Sequence, residues 1–338
     1  MQGLACPIGR PCDKGRGALA APAVAASDIV SGHVKLMRSY RLVLISSADD
    51  PALDPSLVRD ACRRLPEGYR QEPIWLSEGE ACEIGFRAED AFDGLATLAR
   101  EIRQAFGNRR IDATVIPDEH RRKKLLVADM ESTIIEQECL DELAEDVGLR
   151  ARISEITARA MRGEIDFEAA VKERVGLLKG LEASALDKLY TDRITIAPGA
   201  QALVRTMRKH GAWCALVSGG FTFFTERIAE RLGFDTHQAN ILEIRDGRIT
   251  GRVAEPILGR EAKLAALQRL AAERGVRVDE TLAVGDGAND LAMIKAAGLG
   301  VAYRAKPLVA AEARAAIEYG DLTALLYLQG YRRDEFVD

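Results

Sequence analysis

From Tyr40 onward, short apolar runs alternate with stretches in which apolar residues recur every three or four positions, the mark of strands interleaved with amphipathic helices. Residues 41–45 predict a strand, and Leu57, Val58, Ala61 and Cys62 form a helical stripe. Residues 73–76 and the alternating Cys82, Ile84 and Phe86 predict two more strands. Phe92, Leu95, Ala96, Ala99, Ile102 and Phe106 then recur at helical spacing before a strand over 111–116. This β-α-β-β-α-β order is that of a ferredoxin-like domain, a fold that by itself implies no function. Residues 1 to about 37 show no sustained periodicity and are rich in Gly, Ala and Pro, which predicts a flexible extension, with Met37 as an alternative start.

Residues 118–124 are charged, follow Pro117 and read as a linker. The apolar run 125–128 predicts a buried strand that ends abruptly in Asp129 and Glu131, two acids spaced i, i+2, which share a face where the backbone is extended. A helical region follows, over about 137–190. One helix carries Ile153, Ile156, Thr157, Ala160 and Met161 on one side and is broken by Gly163. The next aligns Phe167, Ala170, Val171, Arg174, Val175 and Leu178. A guanidinium inside an apolar stripe needs an anionic partner, which is either a structural carboxylate at the core edge or a ligand. Beyond Pro198 the alternation resumes, with a helix over 202–209 and a strand over 213–217 ending in Ser218-Gly219-Gly220. A hairpin with an Asp-Gly turn over 241–251 and a helix from near Arg260, containing Lys263, precede a strand over 281–285 that runs into Asp286, Asn289 and Asp290.

The length of 338 residues exceeds one average domain. A content of 47% hydrophobic and 29% charged residues fits a soluble globular protein, and a formal charge of -5 argues against a nucleic-acid partner. The basic run 121–124 reads as a solvated face or linker. Cysteines stand at 6, 12, 62, 82, 139 and 214 with no C-x-x-C spacing, so no zinc or redox motif is predicted and a reducing cytoplasm fits. No run of 18 apolar residues predicts a membrane span, and the Ala-rich stretch 18–26, interrupted by Pro22, makes a poor export signal.

Open α/β sheets place ligands at the carboxyl ends of their strands. Two apolar strands here end in acids, and a third ends in glycines before a helix start, where backbone N–H groups favour an anion. Taken singly, Asp-x-Glu reads equally as a polar loop, Ser-Gly-Gly as a tight turn and Lys263 as a solvated surface residue. If the strand ends meet in one sheet, Asp129 and Asp286 offer hard oxygen ligands suited to magnesium beside a substrate phosphate.

As an ordered set, Asp129-Met130-Glu131-Ser132-Thr133, Ser218-Gly219-Gly220, Lys263 and Gly285-Asp286-Gly287-Ala288-Asn289-Asp290 resemble the motifs of the haloacid dehalogenase (HAD) superfamily. Glu138-Cys139-Leu140-Asp141-Glu142, the stretch 157–163, Asp166-Phe167 with Arg174, and Gly219-Gly220-Phe221-Thr222 narrow the resemblance to its phosphoserine phosphatases, over about residues 121–330. The resemblance implies an α/β fold with a HAD-like Rossmannoid core at 118–338 and a small helical cap, at about 137–195, inserted after the first strand. An α+β ferredoxin-like (ACT-like) accessory domain at 38–117 would precede it.

The implied activity is Mg2+-dependent hydrolysis of O-phospho-L-serine through an aspartyl-phosphate, the last step of serine biosynthesis, in the cytoplasm. Asp129 is then the nucleophile, and the metal lies between Asp129, the Glu131 carbonyl and Asp286. Ser218, the Gly219 N–H and Lys263 hold phosphoryl oxygens, while Asn289 and Asp290 orient ligands around metal and phosphate. Arg174 takes the substrate carboxylate, Glu138 its ammonium, and Met161 and Phe167 close the pocket. The family's usual second acid is Asp, so Glu131 presents the acid/base carboxyl one methylene further out. Phosphoryl transfer to another alcohol and non-catalytic serine sensing are the competing readings, and the intact Asp129, Lys263 and Asp286 count against the second. No nucleic acid or membrane is implied as a partner, and a homodimer is compatible with the edge pairing common in ferredoxin-like domains.

Overall fold

The computed structural model describes residues 37–47, 49–89, 94–161 and 164–338, without the side chain of Met161. Residues 1–36 of the expected extension, Phe92 of the second helical stripe and the helix break at Gly163 lie outside the described residues. Strand β1 (Met37–Ser46), helix α1 (Pro55–Arg64), β2 (Ile74–Ser77), β3 (Ala81–Glu89), α2 (Leu95–Ala105) and β4 (Ile111–Pro117) follow in the expected order. They form an antiparallel sheet in the order β2-β3-β1-β4. Asp54 starts α1 by accepting the N–H groups of Ser56 and Leu57 at 2.7 and 3.1 Å, with Pro55 at the first helical position. One sheet face, built from Leu42, Leu44, Ile84 and Phe86, packs on Leu57, Val58, Leu98 and Ile102 of the two helices.

The other face departs from the pattern in the sequence, where alternation places polar residues toward water. Val43, Ile45, Ala81 and Ile116 join Leu322, Leu325 and Tyr327 in the main core. Glu83, Asp112 and Thr114 on that face are buried as well. Buried polar groups need partners, and both acids have them. Glu83 accepts from Arg121 at 2.6 Å and Arg41 at 3.4 Å. Asp112 accepts the backbone N–H groups of Glu318, Tyr319 and Gly320 at 2.9, 3.0 and 2.9 Å. The run 121–124 is accordingly no solvated linker. Arg121 serves Glu83, and Lys123 is buried with its ammonium donating to the Asp279 carbonyl at 2.6 Å, while Arg122 and Lys124 pair at the surface with Glu335 and Glu280.

The chain then enters β5 (Leu125–Ala128) and, after four helices, α3 (Cys139–Asp146), α4 (Arg150–Met161), α5 (Phe167–Gly176) and α6 (Ser184–Asp192), resumes strand and helix alternation. Helix α7 (Ala200–Lys209) leads to β6 (Trp213–Phe221), α8 (Thr222–Leu232), β7 (Thr236–Asn240) and the hairpin β8 (Leu242–Arg245) with β9 (Arg248–Val253). Its turn residues Asp246 and Gly247 both have positive φ, 51° and 73°, as the Asp-Gly sequence predicts. Helix α9 (Ala262–Arg274), β10 (Thr281–Gly285), α10 (Leu291–Ala296), β11 (Leu299–Tyr303) and β12 (Ala315–Ile317) complete a parallel sheet in the order β12-β11-β10-β5-β6-β7. Strands β5 and β10 are buried throughout, which explains their unbroken apolar runs. Ser218-Gly219-Gly220 does not form the expected turn, because β6 continues through it to Phe221 and the next helix starts at Thr222.

Among the described residues no helix is long and apolar enough to cross a membrane, and Cys62, Cys82, Cys139 and Cys214 are free thiols. The joint between the two sheets generates a stability prediction. Asp112→Ala removes one acceptor from three backbone N–H donors at a residue 1% exposed. We expect a loss of about 2 kcal/mol, read as a fall of a few degrees in Tm, and an unchanged Tm would show that water replaces the carboxylate without cost.

Candidate active site

Strands β5 and β10 are neighbours, with Ala128 opposite Val284, so the residues that follow them emerge side by side at the carboxyl edge of the sheet. Carboxylate oxygens of Asp129, Asp286 and Asp290 lie within 4.8 Å of one another. The Asp129 N–H donates to the Val284 carbonyl at 3.0 Å, and Asp129 Oδ1 accepts the Met130 N–H at 2.7 Å. Lys263, in the first turn of α9, reaches the same oxygen with Nζ at 2.7 Å and also donates to Asp290 Oδ1. With 4% of its surface exposed, Lys263 is part of this site and no solvated residue. Asp290 fits beneath because Gly285 has no side chain: a Cβ there would stand 2.3 Å from Asp290 Cγ.

Burial and the neighbouring Asp290 push the Asp129 carboxyl up, against the pull of Lys263. Burial also disfavours the Lys263 ammonium, yet the two carboxylates that flank it hold it charged. Asp286 is pushed up to about 6 by burial, by Asp290 and by Glu138. Asp129 and Asp290 share the Lys263 ammonium with Asp286 crowded beside them, and hard oxygens so gathered fit a divalent cation, which would relieve the crowding.

The acid two residues beyond Asp129 is turned toward the helices. Glu131 Oε1 accepts the Cys139 N–H at 2.8 Å at the start of α3. Its second oxygen occupies space left by Gly220, where a Cβ would lie 2.8 Å from Oε2. Burial, with Glu138 adding, pushes the Glu131 carboxyl up to about 7, while the Cys139 N–H pulls the other way. Ser132, at φ 54°, donates through Oγ to Glu138 Oε1 at 2.8 Å, which fixes the exposed Glu138 near the cleft mouth. On the next strand Ser218 Oγ accepts the Gly220 N–H at 2.9 Å. The Gly219 carbonyl is held by Asn240 Nδ2 at 2.8 Å, and Asn240 Oδ1 accepts the Leu258 N–H at 2.7 Å.

These groups surround a cleft of about 610 Å³. Asp129, Glu131, Gly219, Asp286 and Asn289 line its sheet side, and Glu138, Phe167 and Arg174 its helical side. Ser218 and Lys263 border a small adjoining space shared with Phe167, Gly219 and Asn289, and Asp290 lies below. The structure thus brings together every site residue expected from sequence except Met161, whose side chain is outside the described residues. Arg174 and Glu138 also share a recess with Glu131. The cleft is also lined by residues not singled out as site residues, among them Thr157, Asp166, Arg260 and Lys306. Thr157 opened one of the motifs of the resemblance without a role of its own, Arg260 showed only a place near a helix start, and Lys306, whose N–H donates to the Asp286 carbonyl at 3.2 Å, precedes Pro307 with no chemical signal.

A sequence profile of haloacid dehalogenase-like hydrolases matches residues 126–295. A phosphoserine phosphatase from Streptomyces coelicolor is 47% identical over 224 residues, which are 66% of this chain and 54% of that protein, so the chain spans about half the length of this relative. One from Polaromonas sp. is 44% identical over 210 residues, 61% of this chain and 89% of the relative. The crystal structure of a probable phosphoserine phosphatase from Vibrio cholerae, in unliganded form, aligns with a TM-score of 0.69 at 31% identity and covers 88% of each chain. A profile over half of the chain and relatives that follow it across most of their own length agree with the order in which acid, serine and lysine reach the sheet edge: this chain belongs to the haloacid dehalogenase-like hydrolase family.

Proposed function

We propose that this protein hydrolyses O-phospho-L-serine to L-serine and phosphate, with Asp129 as the nucleophile. The observation that carries the reading is a single cleft with acids on one side, Asp129 among them paired with Lys263 behind it, and Arg174 with Glu138 on the other. A cation and an anion facing a phosphoryl site match the carboxylate and ammonium of an amino acid. Relatives named phosphoserine phosphatase, at 47% and 44% identity, support it. Neither transfer to another alcohol nor serine sensing without turnover has an observation in its favour. The reading includes a phosphatase domain at 118–338 with its cap at about 137–195, an accessory domain at 38–117, and a cytoplasmic place in serine biosynthesis, which the four free thiols support.

In this mechanism Ser218 Oγ, the Gly219 N–H and Lys263 Nζ hold the phosphoryl oxygens, and Asn289 and Asp290 orient the groups around them. Asp129, Asp286 and the Glu131 carbonyl would hold magnesium, which would supply charge neutralisation for the reaction when bound. An Asp129 carboxylate oxygen bonds to phosphorus as the phosphorus–serine oxygen bond breaks. The Glu131 carboxyl gives its proton to the departing alkoxide. As a carboxylate it then takes a proton from water, whose oxygen attacks phosphorus, frees phosphate and restores Asp129. Phe167 and Met161 keep other water from the phosphoenzyme.

Asp129→Asn keeps the size and removes the attacking anion, so turnover should fall below detection while the chain still folds, because Lys263 keeps Asp290 as its partner. Retained activity would end the mechanism. Arg174→Ala should lower kcat/KM on phosphoserine by about one to two decades while sparing phosphoethanolamine, which has no carboxylate. Equal losses on both would mean that Arg174 is structural. Glu131→Gln cannot exchange the proton, and a loss of roughly two to four decades in kcat is expected, with Glu131→Asp less affected. Rapid-quench trapping of the phosphoenzyme assigns the loss to one half-reaction, and full activity in the Gln variant would move the acid/base role to another group.

A further inference from the structure

A second cavity, of about 450 Å³, opens at the opposite edge of the parallel sheet. The catalytic cleft lies past the carboxyl ends of β5 and β10, whereas this cavity is walled by residues that lead into the strands: Lys123 before β5, Asp279 before β10 and Gly298 before β11. Its other wall comes from the antiparallel sheet, through Arg38 of β1 and Ile116 of β4. The proposed reaction uses none of them.

Six Lys and Arg side chains line the cavity against two carboxylates, Glu119 and Asp279. Several of these cations are already matched: Arg121 by Glu83, Lys295 by Glu312 and Arg277 by Asp279. Lys123 and Arg314 are not. Among the described residues Arg314, which is exposed, has no hydrogen-bond or ion-pair partner. Lys123 is 8% exposed, and its ammonium has a backbone carbonyl at 2.6 Å but no carboxylate in contact. Burial pushes its pKa down to about 8, although Asp279 and Glu280 act the other way. A largely buried ammonium with one of its three donors on a backbone carbonyl has two left to offer a ligand in the cavity. His120, with Nε2 3.8 Å from Asp279 Oδ2, adds a further donor at the rim.

We infer that this cavity binds a small dianion, a phosphomonoester or a dicarboxylate, between the antiparallel sheet and the amino edge of the parallel sheet. The lining carries more cations than carboxylates even with Glu119 counted, and both ligand types present anionic oxygens that accept from a guanidinium fork and an ammonium. Such a ligand touches both sheets at once, so it braces the joint that Glu83 and Asp112 hold from within.

The test is calorimetric titration of the full chain at low ionic strength, without divalent cations, using inorganic phosphate, glycerol phosphate and succinate as probes and acetate as the monoanion. The dianions should bind at least about tenfold more tightly than acetate, and Arg314→Ala should weaken them about tenfold or more, with an unchanged rate on phosphoserine. Lys123→Met should weaken them likewise, and Ser218→Ala, in the catalytic cleft, should leave them alone. Binding of the two phosphates without succinate would narrow the ligand to phosphomonoesters, and the reverse to dicarboxylates. The inference is overturned if no dianion binds, if both Arg314→Ala and Lys123→Met bind as the wild type does, or if Ser218→Ala abolishes binding. Because titration needs no turnover, a failure of the phosphoserine reading leaves this result untouched.

Discussion

Lys263 Nζ stands 2.7 Å from Asp129 Oδ1 and also bonds Asp290, in a side chain 4% exposed. A charge that deep is tolerated only when paired, and removing one partner of a buried pair costs about 3–5 kcal/mol, a large share of a domain's whole stability. Three segments far apart in the chain therefore have to close on one another: the end of β5, the loop after β10 and the first turn of α9. The contact that orders the acids is also one of the contacts that orders the sheet edge. Asp290 shows the double duty most clearly, since it binds the ammonium with one oxygen and the Gly287 N–H with the other, at 3.0 Å. Function and fold share these atoms, and the surplus of negative charge left over is what a cation would answer.

The acids at 129 and 286 were legible because both interrupt apolar runs at the same point of the α/β pattern, and a parallel sheet brings equivalent strand ends together. Lys263 was legible only through resemblance. A lysine in the first turn of a helix has no periodic signature, and its burial depends on carboxylates more than a hundred positions away in one case. The same holds for Gly220, whose missing side chain makes room for the longer arm of Glu131. Spacing along a chain records which face a residue takes, but not what stands opposite.

The antiparallel sheet gives the converse lesson. The alternation of Cys82, Ile84 and Phe86 marks the helix-covered face of β3, but nothing in the sequence marks Glu83, Asp112 and Thr114 as buried. Polar residues are read as exposed because burial without partners is costly. Here the partners are Arg121 and the backbone N–H groups of 318–320, and no local pattern announces them. The charged run 121–124 was misread for the same reason.

That second sheet face has a consequence for the order in which the protein comes into being. Val43, Ile45, Ala81 and Ile116 leave a ribosome well before Leu322, Leu325 and Tyr327, which pack with them. During synthesis the antiparallel sheet can bury one face on α1 and α2 at once, while the other waits for residues 322–327. Over that interval it presents apolar side chains, an unshielded carboxylate at 112 and open strand edges, the combination that invites wrong partners and chaperones alike.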